Sequence, residues 1–403
     1  MKIALINSEY PYQSGKGHGG VATYTYQMAR ALAENGHQVH IFLRDGVSSE
    51  IEGENISIHV FSYKPVKKRF QKVISKIAAN SPDLDWELGQ SRFIRDKLLL
   101  IHKTSGLDIA EFPDYGGLSH ECGSISEFAV IVNFHTPTSI VDHYNNVRVS
   151  KKMRDTYKFE FNAWKKADAF RCPGESLIEE ISSRYKINQS LINFIRNPVF
   201  TDRFDSIPKN HRDDSRIDIL FSGRLEHRKG AEILLQNINR ILGIDNRIHF
   251  TISGENSSGN SKRYREAIEE ALNKEYRTRV CFTGSLDNAE LCRLYCNSTI
   301  LLFPSVFENG PYTLYEAMAA RLPVVANSCN GVKELIEHEK NGMVFDHSNP
   351  RELLECIKTL ISDRHLYEKI SRSAYDTVKI NFSPQQITRQ CIKFYQSVIS
   401  EKL

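Results

Sequence analysis

The feature that most constrains this chain is the order of its apolar runs. Short apolar stretches alternate with longer segments of helical periodicity, and the alternation starts twice. In the first half, Ile3–Ile6, Val39–Leu43, Asp108–Phe112, Phe128–Asn133 and Ala169–Cys172 read as buried strands. Between them, Val21, Ala22, Met28, Ala29, Leu32 and Ala33 mark a helix that Gly36 ends. Ser81-Pro82 opens another, running to about Lys103, and Lys151–Ala167 is a third. The segment Arg196–Ser215 breaks the pattern with Pro198, Pro208 and a polar run. The alternation then restarts. Strands are expected at Ile217–Phe221, Ile248–Ser253, Val280–Phe282, Ile300–Phe303 and Val324–Ala326. Helices are expected at Ala231–Leu242, Tyr264–Leu272, Glu290–Cys296, Pro311–Ala320, Arg351–Ile361 and Pro384–Ile399. Such alternation implies parallel sheets with helices on both faces. The fold class is therefore α/β, with two Rossmann-like doubly wound domains, 1–197 and 198–383. The last helix, 384–400, is free to pack back onto the first domain. Ligands of these sheets sit beyond the carboxyl ends of the strands, so two facing domains enclose a cleft lined by strand-end loops.

A length of 403 residues suits two domains. With 40% hydrophobic and 25% charged residues, extended disorder and collagen-like repeats are excluded. A net charge of +4 does not indicate a nucleic-acid binder. The eight cysteines include no CxxC pair and read as reduced thiols; Cys292 and Cys296 read as small apolar core residues on one helical face, not as a metal pair. The apolar start is too short for a signal peptide, and no run reaches the roughly 18–20 apolar residues of a membrane span. The expectation is cytoplasmic residence.

Three loops carry candidate chemistry. The first, Ser14–Gly20, holds a formal GxGxxG at Gly15, Gly17 and Gly20. It lies too far beyond its strand for a dinucleotide fingerprint. Gly19 and Gly20 nevertheless open a helix whose N-terminus favours an anion. A loop without a ligand is the equal alternative. The second loop is Gly223-Arg224-Leu225-Glu226-His227-Arg228-Lys229-Gly230. Arg224 and Lys229 can set a planar fork of donors and a mobile point charge beside a diphosphate. The third follows strand 300–303 and reads Phe307-Glu308-Asn309-Gly310-Pro311-Tyr312-Thr313-Leu314-Tyr315-Glu316. Pro311 suits a first helical position, which leaves the backbone N–H groups of Tyr312 and Thr313 for an anion. Carboxylates near a phosphate repel it, so Glu308 and Glu316 need another partner; sugar hydroxyls are one.

Together these residues resemble the family 4 retaining glycosyltransferases, which have the GT-B fold. Glu308 and Glu316 match the family's E-x7-E signature, and Glu316-Ala317-Met318-Ala319-Ala320-Arg321-Leu322-Pro323-Val324-Val325 is similar to its continuation. Gly223-Arg224-Leu225 with Lys229-Gly230, Gly19-Gly20, and Asn197-Pro198-Val199 resemble its other signatures. The resemblance implies that Arg224 and Lys229 bind the donor diphosphate in place of a metal. It implies that Glu316 binds the nucleotide ribose and Glu308 holds sugar hydroxyls near the reacting carbon. The backbone at Asn309, Gly310, Pro311, Tyr312 and Thr313, with Gly19, Gly20 and Gly223, would help hold the donor. His135, in Asn133-Phe134-His135-Thr136-Pro137, matches the histidine that faces the transferred sugar. Two departures stand out. Arg321 replaces a usual glycine, which puts the local turn in question. Asn309-Gly310-Pro311-Tyr312 replaces a commoner Pro-Phe-Gly stretch, which puts donor preference in question.

The implied reaction moves a sugar from a nucleoside diphosphate to an acceptor hydroxyl, with no cofactor and no metal. A glycan or lipid-linked saccharide of cell-surface polysaccharide synthesis is the expected acceptor. A sugar-phosphate synthase or small-molecule glycosyltransferase on the same fold and, more remotely, an NAD-dependent oxidoreductase are the alternatives. The stretch 64–80 holds six basic residues and no acid, with Phe70, Val73, Ile74 and Ile77 on one helical face. An anionic membrane surface and ordinary packing explain it equally. Asp83-Leu84-Asp85 is a formal DxD, read as first-turn acids of a helix.

Overall fold

The computed structural model describes residues 1–7, 10, 19–44, 55–61, 84–207, 215–257 and 263–402. The stretch 64–80, Gly15, Gly17, Ser81, Pro82 and Asp83 lie outside the described residues.

The first domain is built on a seven-stranded parallel sheet in the order β3-β2-β1-β4-β5-β6-β7. Its strands are β1 (Lys2–Asn7), β2 (Gln38–Arg44), β3 (Ile56–Phe61), β4 (Ile109–Pro113), β5 (Ala129–Asn133), β6 (Ala169–Cys172) and β7 (Ile192–Phe194). Its helices are α1 (Gly20–Glu34), α2 (Leu84–Ser105), α3 (Thr138–Tyr144), α4 (Lys151–Trp164) and α5 (Glu175–Tyr185). The short α6 (Asp202–Asp205) lies on the path to the second domain. There a six-stranded parallel sheet runs β10-β9-β8-β11-β12-β13. It comprises β8 (Ile217–Ser222), β9 (Ile248–Ser253), β10 (Val280–Gly284), β11 (Ile300–Phe303), β12 (Val324–Asn327) and β13 (Met343–Phe345). The remaining helices are α7 (Ala231–Leu242), α8 (Tyr264–Ala271), α9 (Asn288–Asn297), α10 (Tyr312–Ala319), α11 (Pro350–Ser362), α12 (Arg364–Asn381) and α13 (Pro384–Lys402).

Central strands such as β4, β5 and β12 are buried along their whole length because helices cover both faces. Local signals place the helix starts. Asp287 accepts from the Glu290 N–H and Glu290 answers to the Asp287 N–H, a capping box that fixes the entry to α9. One core is shared between the sheets: Ile3, Leu5, Tyr24 and Met28 belong to the same buried cluster as Leu301, Phe303, Tyr312 and Met318. Cys292 and Cys296 lie in it as buried side chains.

Helix α13 returns to the first domain and packs against α1 and β5. The Tyr395 hydroxyl donates to Glu111 Oε2 at 2.7 Å, and Lys402 Nζ pairs with Asp168 at 2.6 Å. Glu111 also accepts from the Tyr24 hydroxyl and from Asn133 Nδ2, while Arg171, fully buried, donates to Tyr24 and to the carbonyl of Arg196. A carboxylate and a guanidinium inside a sheet are costly unless paired, and this network pairs them.

Each sheet reverses its strand order once, between β1 and β4 in the first domain and between β8 and β11 in the second. Such switch points open a crevice at the carboxyl ends of the strands. The glycine loop before α1 follows β1. The two loops with the candidate cations and carboxylates follow β8 and β11. The loops after β8 and β11 therefore meet the cleft at a switch point, and Gly19 and Gly20, the described end of the glycine loop, open α1 in the β1–β2 crossover beside the other.

Candidate active site

The loop after β8 carries the cations. Gly223 leaves the strand with its N–H on the Ser253 carbonyl at 2.9 Å. Arg224 follows, with a 60% exposed side chain reaching Glu226 at 3.6 Å. A single turn, His227–Lys229, then ends at Gly230, whose φ of 77° suits a residue without a Cβ; a Cβ there would strike the Pro304 carbonyl. This turn aims Lys229 at the loop after β11. Lys229 Nζ lies 2.7 and 3.0 Å from the two carboxylate oxygens of Glu308. Arg228 stands behind the pair, 2.8 Å from Glu226 and 3.7 Å from Glu308.

Three cations and two acids thus alternate within one contiguous cluster. Burial works to raise the Glu226 carboxyl, but Arg228, Arg224 and Lys229 outweigh it and hold it below the usual range. Burial also pushes the Lys229 ammonium below the ordinary lysine value, and Glu308 only partly offsets that. Glu308 is 3% exposed, and Lys229 and Arg228 are the partners its carboxylate finds there.

Helix α10 begins at Tyr312, with Pro311 as its N-cap, one position earlier than expected for that proline. Its first turn has no side-chain cap and no acid. The N–H groups of Tyr312 and Thr313 are not claimed by a capping side chain. The Tyr312 side chain is buried, and its hydroxyl donates to the Pro198 carbonyl at 3.0 Å. The second acid of the pair, Glu316, is buried one turn on and accepts from Arg203 of α6. Burial works against the Arg203 guanidinium, yet Glu316 raises it. Helix α1 has the same open start. Gly19 is its N-cap, Gly19 and Gly20 are exposed, and the first turn contains no acid.

His135 lies across the cleft, just beyond β5. Its N–H donates to Asp114 Oδ1 at 3.2 Å, and the Thr136 N–H to Asp114 Oδ2 at 3.0 Å. The His135 ring meets the Tyr24 ring edge-on at 4.8 Å. Burial, helped by Arg171, lowers the imidazole to about 3, so it is neutral. Asp114 is fully buried, and burial raises it to about 8 although both N–H groups oppose the rise.

The domains touch around these residues. Asn309 Nδ2 donates to the carbonyls of Phe134, at 3.0 Å, and His135, at 2.8 Å. Gly310, φ 56°, sits where a Cβ would come 3.0 Å from Asn197 and 3.2 Å from Pro173. Glu334 caps α5 of the other domain through the N–H groups of Glu175, at 3.0 Å, and Ser176, at 2.6 Å. The Tyr144 and Phe307 rings stack at 4.2 Å, and His227 Nδ1 bonds the Tyr144 carbonyl at 2.9 Å.

The structure therefore brings Arg224, Lys229 and Glu308 into one cluster, with the start of α10 following Glu308 in the chain, and joins Asn309 to the backbone of His135. It ties Glu316 to Arg203, a residue the sequence reading did not single out. Asp114, Arg228 and Glu334 were also missed; a charge between apolar neighbours was the available signal only for Glu111 and Arg171. Arg321 corrects an expectation. Its φ is 55°, so the turn keeps the glycine-like left-handed geometry despite the side chain. The guanidinium lies 3.8 Å over the Tyr375 ring, which helps hold it there.

Two facing Rossmann-like domains with strand-end loops meeting in a cleft define a GT-B glycosyltransferase. Residues 18–203 match the family description "Glycosyltransferase Family 4", and residues 202–377 match "Glycosyl transferases group 1". The chain belongs to the family 4 glycosyltransferases. It is 25% identical to an uncharacterized glycosyltransferase, MJ1607, of Methanocaldococcus jannaschii, over 98% of each chain. Among solved structures it resembles a sucrose-phosphate synthase from Thermosynechococcus elongatus, with a TM-score of 0.75, 19% identity and 99% of each chain covered. It also resembles Anabaena Alr3699/HepE in complex with UDP and glucose, with a TM-score of 0.71, 16% identity, and 98% of this chain and 100% of that one covered.

Proposed function

We propose that this glycosyltransferase moves a sugar from a nucleoside-diphosphate sugar to an acceptor hydroxyl, with retention of configuration and without a metal ion. The observation that carries the proposal is the Lys229–Glu308 pair at the two switch-point loops of one sheet. A carboxylate that holds a lysine in this way is placed to share it with an anionic ligand while accepting from hydroxyls itself.

In this reading the diphosphate lies on Arg224, Lys229 and the starts of α1 and α10. Charge grows on the diphosphate as its bond to the sugar breaks, and fixed cations and helix N-termini stabilise that charge more in the transition state than before it. Glu316 accepts from ribose hydroxyls through the carboxylate oxygen that Arg203 leaves free. Glu308 and neutral His135 hold the sugar from opposite walls. The acceptor oxygen attacks the face the diphosphate leaves, and its proton passes to the departing phosphate oxygen, so no separate base is assigned. HepE supports the donor class, because that protein was solved with UDP and with UDP-glucose.

The proposed acceptor is a saccharide or lipid-linked saccharide in cell-surface polysaccharide synthesis, reached from an anionic membrane face through 64–80. No helix among the described residues is long and apolar enough to cross a membrane. A second reading, with a sugar phosphate as acceptor, is favoured by the exposed Arg148, Lys151 and Arg154, which follow Asn146 where it meets His227. A panel of nucleotide sugars tests the core proposal, scored for thermal stabilisation and slow donor hydrolysis. Absence of both for every member would refute it. Flotation with anionic vesicles at low salt tests the membrane contact, and no binding removes it.

A further inference from the structure

Asn309 follows Glu308 in the chain, yet its side chain leaves the second domain. Both amide hydrogens go to consecutive carbonyls of the other domain, Phe134 at 3.0 Å and His135 at 2.8 Å. The fit is close on the remaining side too: a Cβ on Gly174 would lie 2.6 Å from Asn309 Oδ1. His135 is thereby held at both ends of its backbone. Its N–H is on Asp114, from its own domain, and its carbonyl is on Asn309, from the facing domain.

We infer that the Asn309 side chain is a positioning residue: it fixes the distance between the two walls of the sugar pocket by tying the loop of Glu308 to the backbone of His135. The inference rests on the proposed sugar-facing roles of Glu308 and His135. It moves the effect of the Asn309-Gly310 departure away from donor choice and onto the joint between the domains. Few other residue types suit the task. An amide supplies two hydrogens to two acceptors from one planar group. Aspartate has the same shape but would present oxygens to carbonyl oxygens, and serine is too short to reach both.

The test compares Asn309→Asp and Asn309→Ser with wild type in two measurements. The first is hydrogen exchange of the amides of His135 and Thr136, which Asp114 protects. It needs no activity, so it stands even if the proposed reaction fails. Exchange is expected to rise in both variants at these amides and to stay unchanged at Val130–Val132. The second uses whichever of UDP, GDP or ADP stabilises the wild-type protein most, together with its glucose conjugate. The nucleotide's affinity is expected to hold within about threefold, while turnover falls about 30-fold in Asn309→Asp, as for two lost hydrogen bonds. Unchanged exchange at His135 and Thr136 overturns the inference. So does a loss of nucleotide affinity that matches the loss of turnover, because the side chain would then be a donor ligand.

Discussion

Arg203, on the short helix between the domains, donates from its guanidinium to Glu316, a buried acid on the second turn of α10. The pair joins the interdomain passage to a residue proposed to hold the donor ribose. Removing the arginine leaves a carboxylate that is 7% exposed without its partner. Arg203→Ala is expected to lower stability by about 2–3 kcal/mol, less than a fully buried pair would lose, because the guanidinium keeps some contact with water. In Arg203→Ala/Glu316→Gln the second change should cost less than it does alone, by about 1–2 kcal/mol. Urea unfolding of the four proteins measures the coupling, and simple additivity would show that the pair contributes nothing.

Lys229→Ala should abolish transfer, by about a thousandfold, and leave the far-ultraviolet spectrum unchanged. Arg228 remains 3.7 Å from Glu308 to limit the damage to the fold. Glu316→Ala should likewise abolish transfer. Turnover close to wild type in either purified variant removes that residue from the mechanism.

Donor affinity should fall on the alkaline side earlier than an ordinary lysine would dictate. Burial lowers Lys229, so its cation is lost as pH rises through a value below the usual lysine range. Titrating nucleotide affinity from pH 7 to pH 10 in wild type and Lys229→Arg checks this. The arginine variant should bind with little dependence on pH, since arginine stays charged throughout.

Asp114 makes stability depend on pH in the opposite region. Its carboxyl is raised to about 8 in the folded protein, while the unfolded chain ionises near the ordinary value of about 3.9. The folded state therefore holds a proton that the unfolded state has lost, and stability falls as pH rises between these values. Melting temperature should drop from pH 5 to pH 8. Glu160, raised to about 7 by burial, adds to the same slope. Asp114→Asn should flatten the dependence in a thermal melt series, and an unchanged slope would place the titration elsewhere.

Arg321 offers a test of backbone strain. Arg321→Ala keeps a Cβ at φ 55° and loses the stacking on Tyr375. Arg321→Gly loses the stacking but relieves the strain. The glycine variant should therefore exceed the alanine variant by about 1 kcal/mol. Calorimetry of both decides, and equal stabilities would mean that the turn carries no strain.

Much of this architecture was legible because its signals are local. The helix Ala231–Leu242 and the strand Ile248–Ser253 were read with the bounds they have. Strand β3, and the three-residue β7 and β13, were missed because edge strands carry no long apolar run. Helix α5 was missed as well: its start is completed by Glu334, which lies far along the chain. The site divides in the same way. Glu308, Glu316, Arg224 and Lys229 stand out by spacing within single loops. The roles of Arg203, Asn309 and Asp114 come from how separate segments approach one another, which no local pattern encodes.

The return of α13 has a consequence for the order of manufacture. A ribosome delivers β1, α1 and β4 before the second domain, and Tyr395, the hydroxyl that completes the Glu111 network, after it. Until then the nascent first domain holds Glu111 and Arg171 beneath an uncovered face, with one of the carboxylate's partners not yet made. The wall that carries His135 is thus finished only after the whole second domain has been translated, and a chain released early lacks the piece that seals it.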